Sequence, residues 1–182
     1  MADAITMTPL AGIAEIRGLG MVLIRADLGR AGDAIAEAAG LALPETGRFT
    51  TDGLRWLGWM SPDELLLIVP GSERGRAVAD VAGALTGEHA LVQDVSDMRC
   101  VFDVTGRKPG QVLAKLCPAD LETRPRDGLR RTRAAQVACA VWRIDGAETG
   151  RGWRLIAFRS VRDYVAQVLA GAAAPGSDLD PR

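Results

Sequence analysis

The strongest constraint on this chain is a pattern that occurs twice. An extended apolar run leads to a helix-spaced run, then to two extended runs around a turn, then to a second helix-spaced run. In the first pass, IAEIRGLGMVLIRADL (13–28) alternates Val22, Ile24 and Ala26 against Leu23 and Arg25, which predicts a strand. RAGDAIAEAAG follows, with Ala31, Ile35, Ala38 and Ala39 on one helical face and Gly40 placed to close the helix in the left-handed conformation. GLRWLGWMSPDELLLIVP reads as a hairpin turning at Ser61, Pro62, Asp63 and Glu64, where a proline stands beside acidic turn formers. SERGRAVADVAGALTG reads as a helix with Ser72 as its N-cap and Ala77, Val78, Val81 and Leu85 turned inward.

The second pass keeps the order. HALVQDVSDMRCVFDVTG is extended, and GRKPGQVLAKLCP is a helix with Pro109 in its first turn and Pro118 at its end. RTRAAQVACAVWRIDG and GWRLIAFRS form a hairpin around residues 145–150, and SVRDYVAQVLAGAAA is a last helix in which Ser160 and Asp163 resemble a capping box. Short stretches correspond as well, such as LLLIVPGSERGRAV with RLIAFRSVRDYVAQ. Duplicated strand-helix-hairpin-helix halves predict an α+β protein with mainly antiparallel sheets and helices on one face. The halves fall at 10–88 and 89–172, packed together as one domain. Residues 173–182 form a tail with no periodic core face, frayed or laid out as an extended contact.

With 182 residues, 48% of them hydrophobic, the chain can bury a core without disulfides or metal. A formal net charge of -1 supplies no global field for nucleic acid or an anionic membrane. No apolar run approaches the roughly 18–20 residues that span a bilayer, and MADAITMTPLAGIAEIRG lacks a basic start followed by a long apolar stretch. The expectation is a soluble, cytoplasmic protein. Cys100, Cys117 and Cys139 are odd in number, far apart and set in apolar segments, which points to reduced core thiols rather than a disulfide frame or zinc ligands. His89 is the only histidine, so no site built on two is available. Phosphate-binding glycine loops, nucleophile elbows, C-x-x-C and H-E-x-x-H are all missing, and no catalytic, cofactor-binding or metal-binding residue is assigned.

Asp94 and Ser96 are the polar residues that most need explaining. On one continuous strand they share a face with Val92, Met98, Cys100, Phe102 and Val104, and two polar groups aimed at an apolar layer must find partners. The expectation is that both bond local backbone at a strand entrance, with Asp97 and Arg99 facing out. RPRDGLRRTR (124–133) sets five arginines around Asp127 and reads as a solvated connection. Alternatively, Arg130 and Arg131 in it are candidate contacts for a phosphate, a polyglutamate tail or an acidic partner surface. Trp56 and Trp59, three apart on one strand, fall on opposite faces. One belongs to the core, and the other is a candidate interface anchor.

VQDVSDMRCVFDVTGRKPGQVLAKLCPADL (92–121), which ends on Asp120, resembles the signature of the folate-binding aminomethyltransferase-like fold. RWLGWMSPDELLLI, DVSDMR, LCPADL and RSVRDY, in that order over residues 10–172, are together similar to the gamma subunits of heterotetrameric sarcosine oxidases. The resemblance implies a structural subunit of a complex that oxidatively demethylates sarcosine to glycine, with tetrahydrofolate or formaldehyde as one-carbon outlet and hydrogen peroxide as co-product. It implies alpha, beta and delta partner subunits that carry FAD, FMN, NAD, zinc and tetrahydrofolate, and no cofactor on this chain. The alternative is a stand-alone folate-binding module. Where the related transferases carry a catalytic aspartate, RAAQVACAVWRI (133–144) has no carboxylate, and Gln136 cannot replace one as a base.

Overall fold

Gly18, at a φ of 75°, ends one strand and starts another that belongs to a different sheet. A computed structural model of the chain describes residues 2–145 and 152–179, so the expected turn at 145–150 lies, but for Asp145, outside the described residues. The first part of the chain runs β1 (Ala2–Met7), β2 (Gly12–Ile16), β3 (Leu19–Arg25), α1 (Leu28–Ala39), β4 (Phe49–Thr51), β5 (Trp56–Ser61), β6 (Glu64–Pro70) and α2 (Arg74–Ala84). The rest runs β7 (Leu91–Asp94), β8 (Arg99–Thr105), α3 (Pro109–Ala114), β9 (Leu129–Ala134), β10 (Val137–Ile144), β11 (Gly152–Phe158) and α4 (Arg162–Ala172). Short 3-10 turns at Gly71–Glu73, Ser96–Met98 and Arg159–Val161 precede α2, β8 and α4.

The strands form two antiparallel sheets, ordered β4-β5-β6-β3-β7 and β1-β2-β8-β11-β10-β9. The architecture is therefore α+β with antiparallel sheets. Two compact units result: a contiguous one, Gly18–Asp97, and a split one made of the residues up to Arg17 with those from Met98 onward. This differs from a division at 88/89. The long extended runs expected over 13–28 and 89–105 each break in two, at Gly18 and at the Ser96–Met98 turn, and the pieces pair in different sheets. β2 lies beside β8, and β7 lies beside β3.

In the contiguous unit, alternation puts Val22, Ile24, Leu57, Leu65, Leu67 and Val69 on the helix-covered face, against Ala31, Ile35 and Ala39 of α1 and Val81 of α2. In the split unit Ile13, Phe102, Val104, Val141 and Leu155 meet Val112, Leu113, Val165 and Leu169 in the same way. Gly40 ends α1 at a φ of 66°, as its position predicts. The N-cap of α1 is Asp27, whose side chain accepts from Gly29 N–H.

Two local expectations need correction, the serine caps and the arginine-rich loop. Ser72 and Ser160 lie inside the 3-10 turns and make no capping bond. The turns already give Arg74 and Arg162 N–H a carbonyl, at Gly71 and Arg159. The arginine-rich connection becomes a strand from Leu129, because Leu129 and Ala134 are buried and β10 offers a full register of partners. It returns through Ala135 and Gln136, both at positive φ (44° and 79°), the primed geometry that suits strand twist. The tail is held as far as Leu179, by Lys108 to Asp178, Lys115 to Ser177 and Gln111 to Leu179. Among the described residues no helix is long and apolar enough to cross a membrane.

Gly71 donates its N–H to Gly18 O at 2.9 Å, and a Cβ there would stand 2.5 Å from that oxygen. Gly71→Ala is therefore expected to cost about 1–3 kcal/mol through forced backbone displacement, read from urea midpoints. A midpoint equal to that of the unaltered chain refutes this close approach.

Candidate functional site

The Asp94 carboxylate sits where β7 gives way to the 3-10 turn. Its Oδ1 accepts from Ser96 N–H (3.0 Å) and Ser96 Oγ (2.6 Å), and its Oδ2 accepts from Arg74 Nε at the start of α2. Ser96 Oγ in turn accepts from Met21 N–H (2.9 Å), while Val95 N–H donates to Met21 O (2.8 Å). Asp94 and Ser96 thus extend the β3–β7 pairing past the last strand residue; the Asp94–Ser96 bonds are local, but Ser96 also reaches Met21 on β3 and Asp94 the Arg74 side chain, where only local backbone partners were expected. The shared strand face does not exist, because the turn breaks the alternation before Met98. Burial pushes the Asp94 carboxyl up, but the two Ser96 bonds and the Arg74 guanidinium together hold it below its ordinary range.

A second carboxylate was not anticipated. Glu15 on β2 is 1% exposed, on the face of Ile13, and takes Arg162 Nη2 at 2.7 Å and Arg17 Nη2 at 2.8 Å on Oε2. The Arg162 bond is the largest influence on it; burial opposes, Arg17 assists, and the carboxyl stays below its usual range. The alternation of IAEIR was the available signal, since Glu15 falls two residues from Ile13. A third pair, Arg154 with Asp103, is bidentate at 2.7 and 2.8 Å between cross-strand neighbours on the opposite face of that sheet.

The remaining expected residues have local tasks. Ser61 Oγ and Arg25 bond the two oxygens of Asp63, whose carbonyl accepts from Ala26 N–H, and Glu64 lies 3.9 Å from Arg25. The Pro62 turn is thereby tied to the end of β3. Asp120 accepts from Glu122 and Thr123 N–H just after α3. The Arg99 guanidinium lies over the Phe158 ring, 4.2 Å from its centroid. Ser160 is exposed. Trp59 is half-buried against the helix-side core, and Trp56, also half-buried, stands opposite Ile68 on the neighbouring strand. Arg130 and Arg131 are exposed on β9. All three cysteines are buried thiols, and the Cys117 hydrogen bond together with burial pushes the Cys139 thiol up.

Between α1 and α2 lies an open cleft of about 670 Å³ over Leu67 and Val69, walled by Ala34, Ala38 and Ala77. Four of its rim charges pair with each other, Arg55 with Glu73 at 2.6 Å and Arg76 with Asp80 at 3.2 Å, and its lining contains no thiol, hydroxyl or imidazole. Among the described residues no group of three histidine, cysteine, aspartate or glutamate side chains is placed to hold a metal ion.

This architecture recurs in the aminomethyltransferase T of the glycine cleavage system from Bartonella henselae. The two match at a TM-score of 0.66 and 14% identity over 89% of this chain and 46% of that one, a likeness of fold alone. The class is thus the aminomethyltransferase-like fold. A chain of the heterotetrameric sarcosine oxidase from Corynebacterium sp. U-96, solved in complex with pyrrole 2-carboxylate, matches at a TM-score of 0.83 and 27% identity, covering 98% of this chain and 91% of that one. The sarcosine oxidase subunit gamma of Corynebacterium sp. strain P-1 is 35% identical over 68% of this chain, a stretch that spans 63% of its own length. That of Arthrobacter sp is 34% identical over 79% of this chain and 73% of its own length. The sequence model of the sarcosine oxidase gamma subunit family matches residues 25–175, and the chain belongs to that family.

Removing Arg162 leaves Glu15 buried with Arg17 alone. Arg162→Ala is expected to cost about 2–3 kcal/mol at neutral pH, less than the roughly 3–5 kcal/mol for a charge with no partner left. The folded Glu15 carboxyl lies below its ordinary value of 4.5, so its stabilisation is complete above that pH and is lost as pH falls through the folded value. The gap between variant and unaltered chain should therefore narrow below about pH 4.5. Urea midpoints at pH 7 and pH 3 check this, and an equal gap at both refutes it.

Proposed function

We propose that this chain is the gamma subunit of a heterotetrameric sarcosine oxidase and serves there as a structural, non-catalytic component. Family membership over residues 25–175 carries the reading, and the match to a chain of the Corynebacterium enzyme supports it. In this reading alpha, beta and delta subunits hold FAD, FMN, NAD, zinc and tetrahydrofolate. The complex works in the cytoplasm, where it oxidises sarcosine to glycine with tetrahydrofolate or formaldehyde as one-carbon outlet and hydrogen peroxide as co-product. The chain's own residues favour a structural part. Asp94, Glu15 and Asp103 are each bound by arginine, which fits a scaffold role better than that of a free base.

The two units are read as diverged copies of one ancestor. Both run strand, helix, three strands, 3-10 turn, helix, and both order those strands alike, β4-β5-β6-β3 and β9-β10-β11-β8. In each, the arginine that opens the last helix binds a carboxylate on the next strand out: Arg74 to Asp94 on β7 and Arg162 to Glu15 on β2.

Co-expression with the genomic neighbours, and purification through a tag on this chain, should yield a yellow assembly of several chains that oxidises sarcosine. A colourless monomer that binds tetrahydrofolate in the micromolar range, or turns substrate over by itself, overturns the subunit reading. Asp94→Ala should lower the melting temperature of the chain and the yield of complex, while each assembled complex keeps nearly full turnover. Loss of turnover in a fully assembled and equally stable complex refutes the scaffold role of Asp94.

A further inference from the structure

Unneutralised positive charge gathers at one edge of the split unit. Six arginines elsewhere meet carboxylates: Arg17, Arg25, Arg30, Arg55, Arg74 and Arg162 are all paired within 4.0 Å. Arg130 and Arg133 on β9, and Arg124 and Arg126 in the segment leading into it, have no such partner among the described residues. Over 124–133 five arginines stand against Asp127 alone, in a chain whose net charge is -1. The concentration is thus local rather than a property of the whole surface.

Among the described residues β9 is also the last strand of its sheet, pairing only with β10. An edge strand presents unpaired backbone groups, and proteins blunt such edges by shortness, bulges or charge. The corresponding outer strand of the contiguous unit, β4, is three residues long and tied down by Thr50 Oγ1 to Ala42 O. β9 has six residues, with Arg130, Arg131 and Arg133 exposed. Its register fixes which groups point out. The two-residue turn is closed by Ala134 and Val137, so Arg133 and Ala138 form a non-hydrogen-bonded pair and Arg133 turns its backbone N–H and C=O away from β10. Arg130 and Arg133, three apart, project from opposite faces of the strand, so their guanidinium forks flank the outward backbone groups of the edge from both sides. No aromatic side chain stands on β9 to stack a base, which disfavours single-stranded nucleic acid as the occupant.

We propose that the β9 edge, through Arg130 and Arg133 with Arg124 and Arg126 at its entry, is the surface along which an acidic extended segment of a partner subunit lies. The proposal rests on the subunit reading above and adds to it the docking edge and the charge of what docks. Bidentate arginine–carboxylate contacts supply specificity, and the open edge supplies the backbone geometry.

The full chain is co-expressed with its partner subunits, and hydrogen exchange is measured on the complex and on the chain alone. Amides of 129–134 should exchange at least tenfold more slowly in the complex. Arg130→Glu with Arg133→Glu should reduce co-purified partner about tenfold or more at ~0.1 M salt, in keeping with coupling energies of close interfacial charge pairs. The melting temperature of the chain alone should not change, and the unaltered complex should loosen as salt rises. Arg30→Glu, a charge reversal on α1, serves as the control and should assemble normally. Unchanged exchange over 129–134 in an intact complex overturns the edge proposal while leaving the subunit reading standing, and needs no variant. Full assembly of the double variant overturns it too, as does nucleic acid that co-purifies with the chain and is lost in the variant. A chain that assembles with no partner removes the subunit reading and this one together.

Discussion

A carboxylate taken out of water must be met by a cation or be protonated, and that requirement organises both units of this protein. In each, the cation is an arginine at the first residue of the helix that follows the last sheet strand. Its side chain reaches a flanking strand that the chain visits elsewhere in the sequence, β7 for Arg74 and β2 for Arg162. The ion pair therefore fixes the helix start relative to the sheet and keeps the flanking strand in place. Strand pairing alone would leave β7, of four residues, weakly held.

The same economy of polar groups accounts for the loops. Asp94, Asp63 and Asp120 each close a turn by accepting bonds from residues two or three positions away. Ser96 goes further, extending the β3–β7 ladder with a side-chain oxygen where a backbone carbonyl would otherwise stand. These acidic residues are thus consumed by architecture, and the surfaces left to recognise other molecules are cationic edges, half-buried tryptophans and the alanine-walled cleft.

Much of the local structure was legible in the residues. Period-2 and helical spacing identified the helices and most of the strands, though not β1 or β4, Gly40 marked the end of α1, and Pro62 with Asp63 marked the β5–β6 turn, because these signals act through a few neighbouring residues. What was not legible depends on distant partners. Residues 13–25 and 91–105 each read in sequence as one continuous extended run, and only sheet pairing decides that each divides between two sheets. The 3-10 turns hid the true helix starts, since Ser72 and Ser160 satisfy the sequence rule for a cap from inside another structure. Strand β9 was obscured by its arginines, whose exposure at an edge looks in sequence like that of a loop. Glu15 needed Arg162 to make sense of it, and nothing in the spacing of the two announces the pair.

One consequence concerns synthesis. The contiguous unit is complete once Asp97 has left the ribosome, whereas the split unit holds strands from both ends of the chain. β2 emerges early and has no β8 to pair with until Arg99–Thr105 has been made. At roughly 5–20 residues per second, that is a wait on the order of ten seconds for the nascent polypeptide. During it Ile13 and the β1–β2 hairpin stand without the sheet that later shelters them, an interval in which a chaperone, or an arm that simply stays detached, has to keep the first-made segment from sticking to its neighbours.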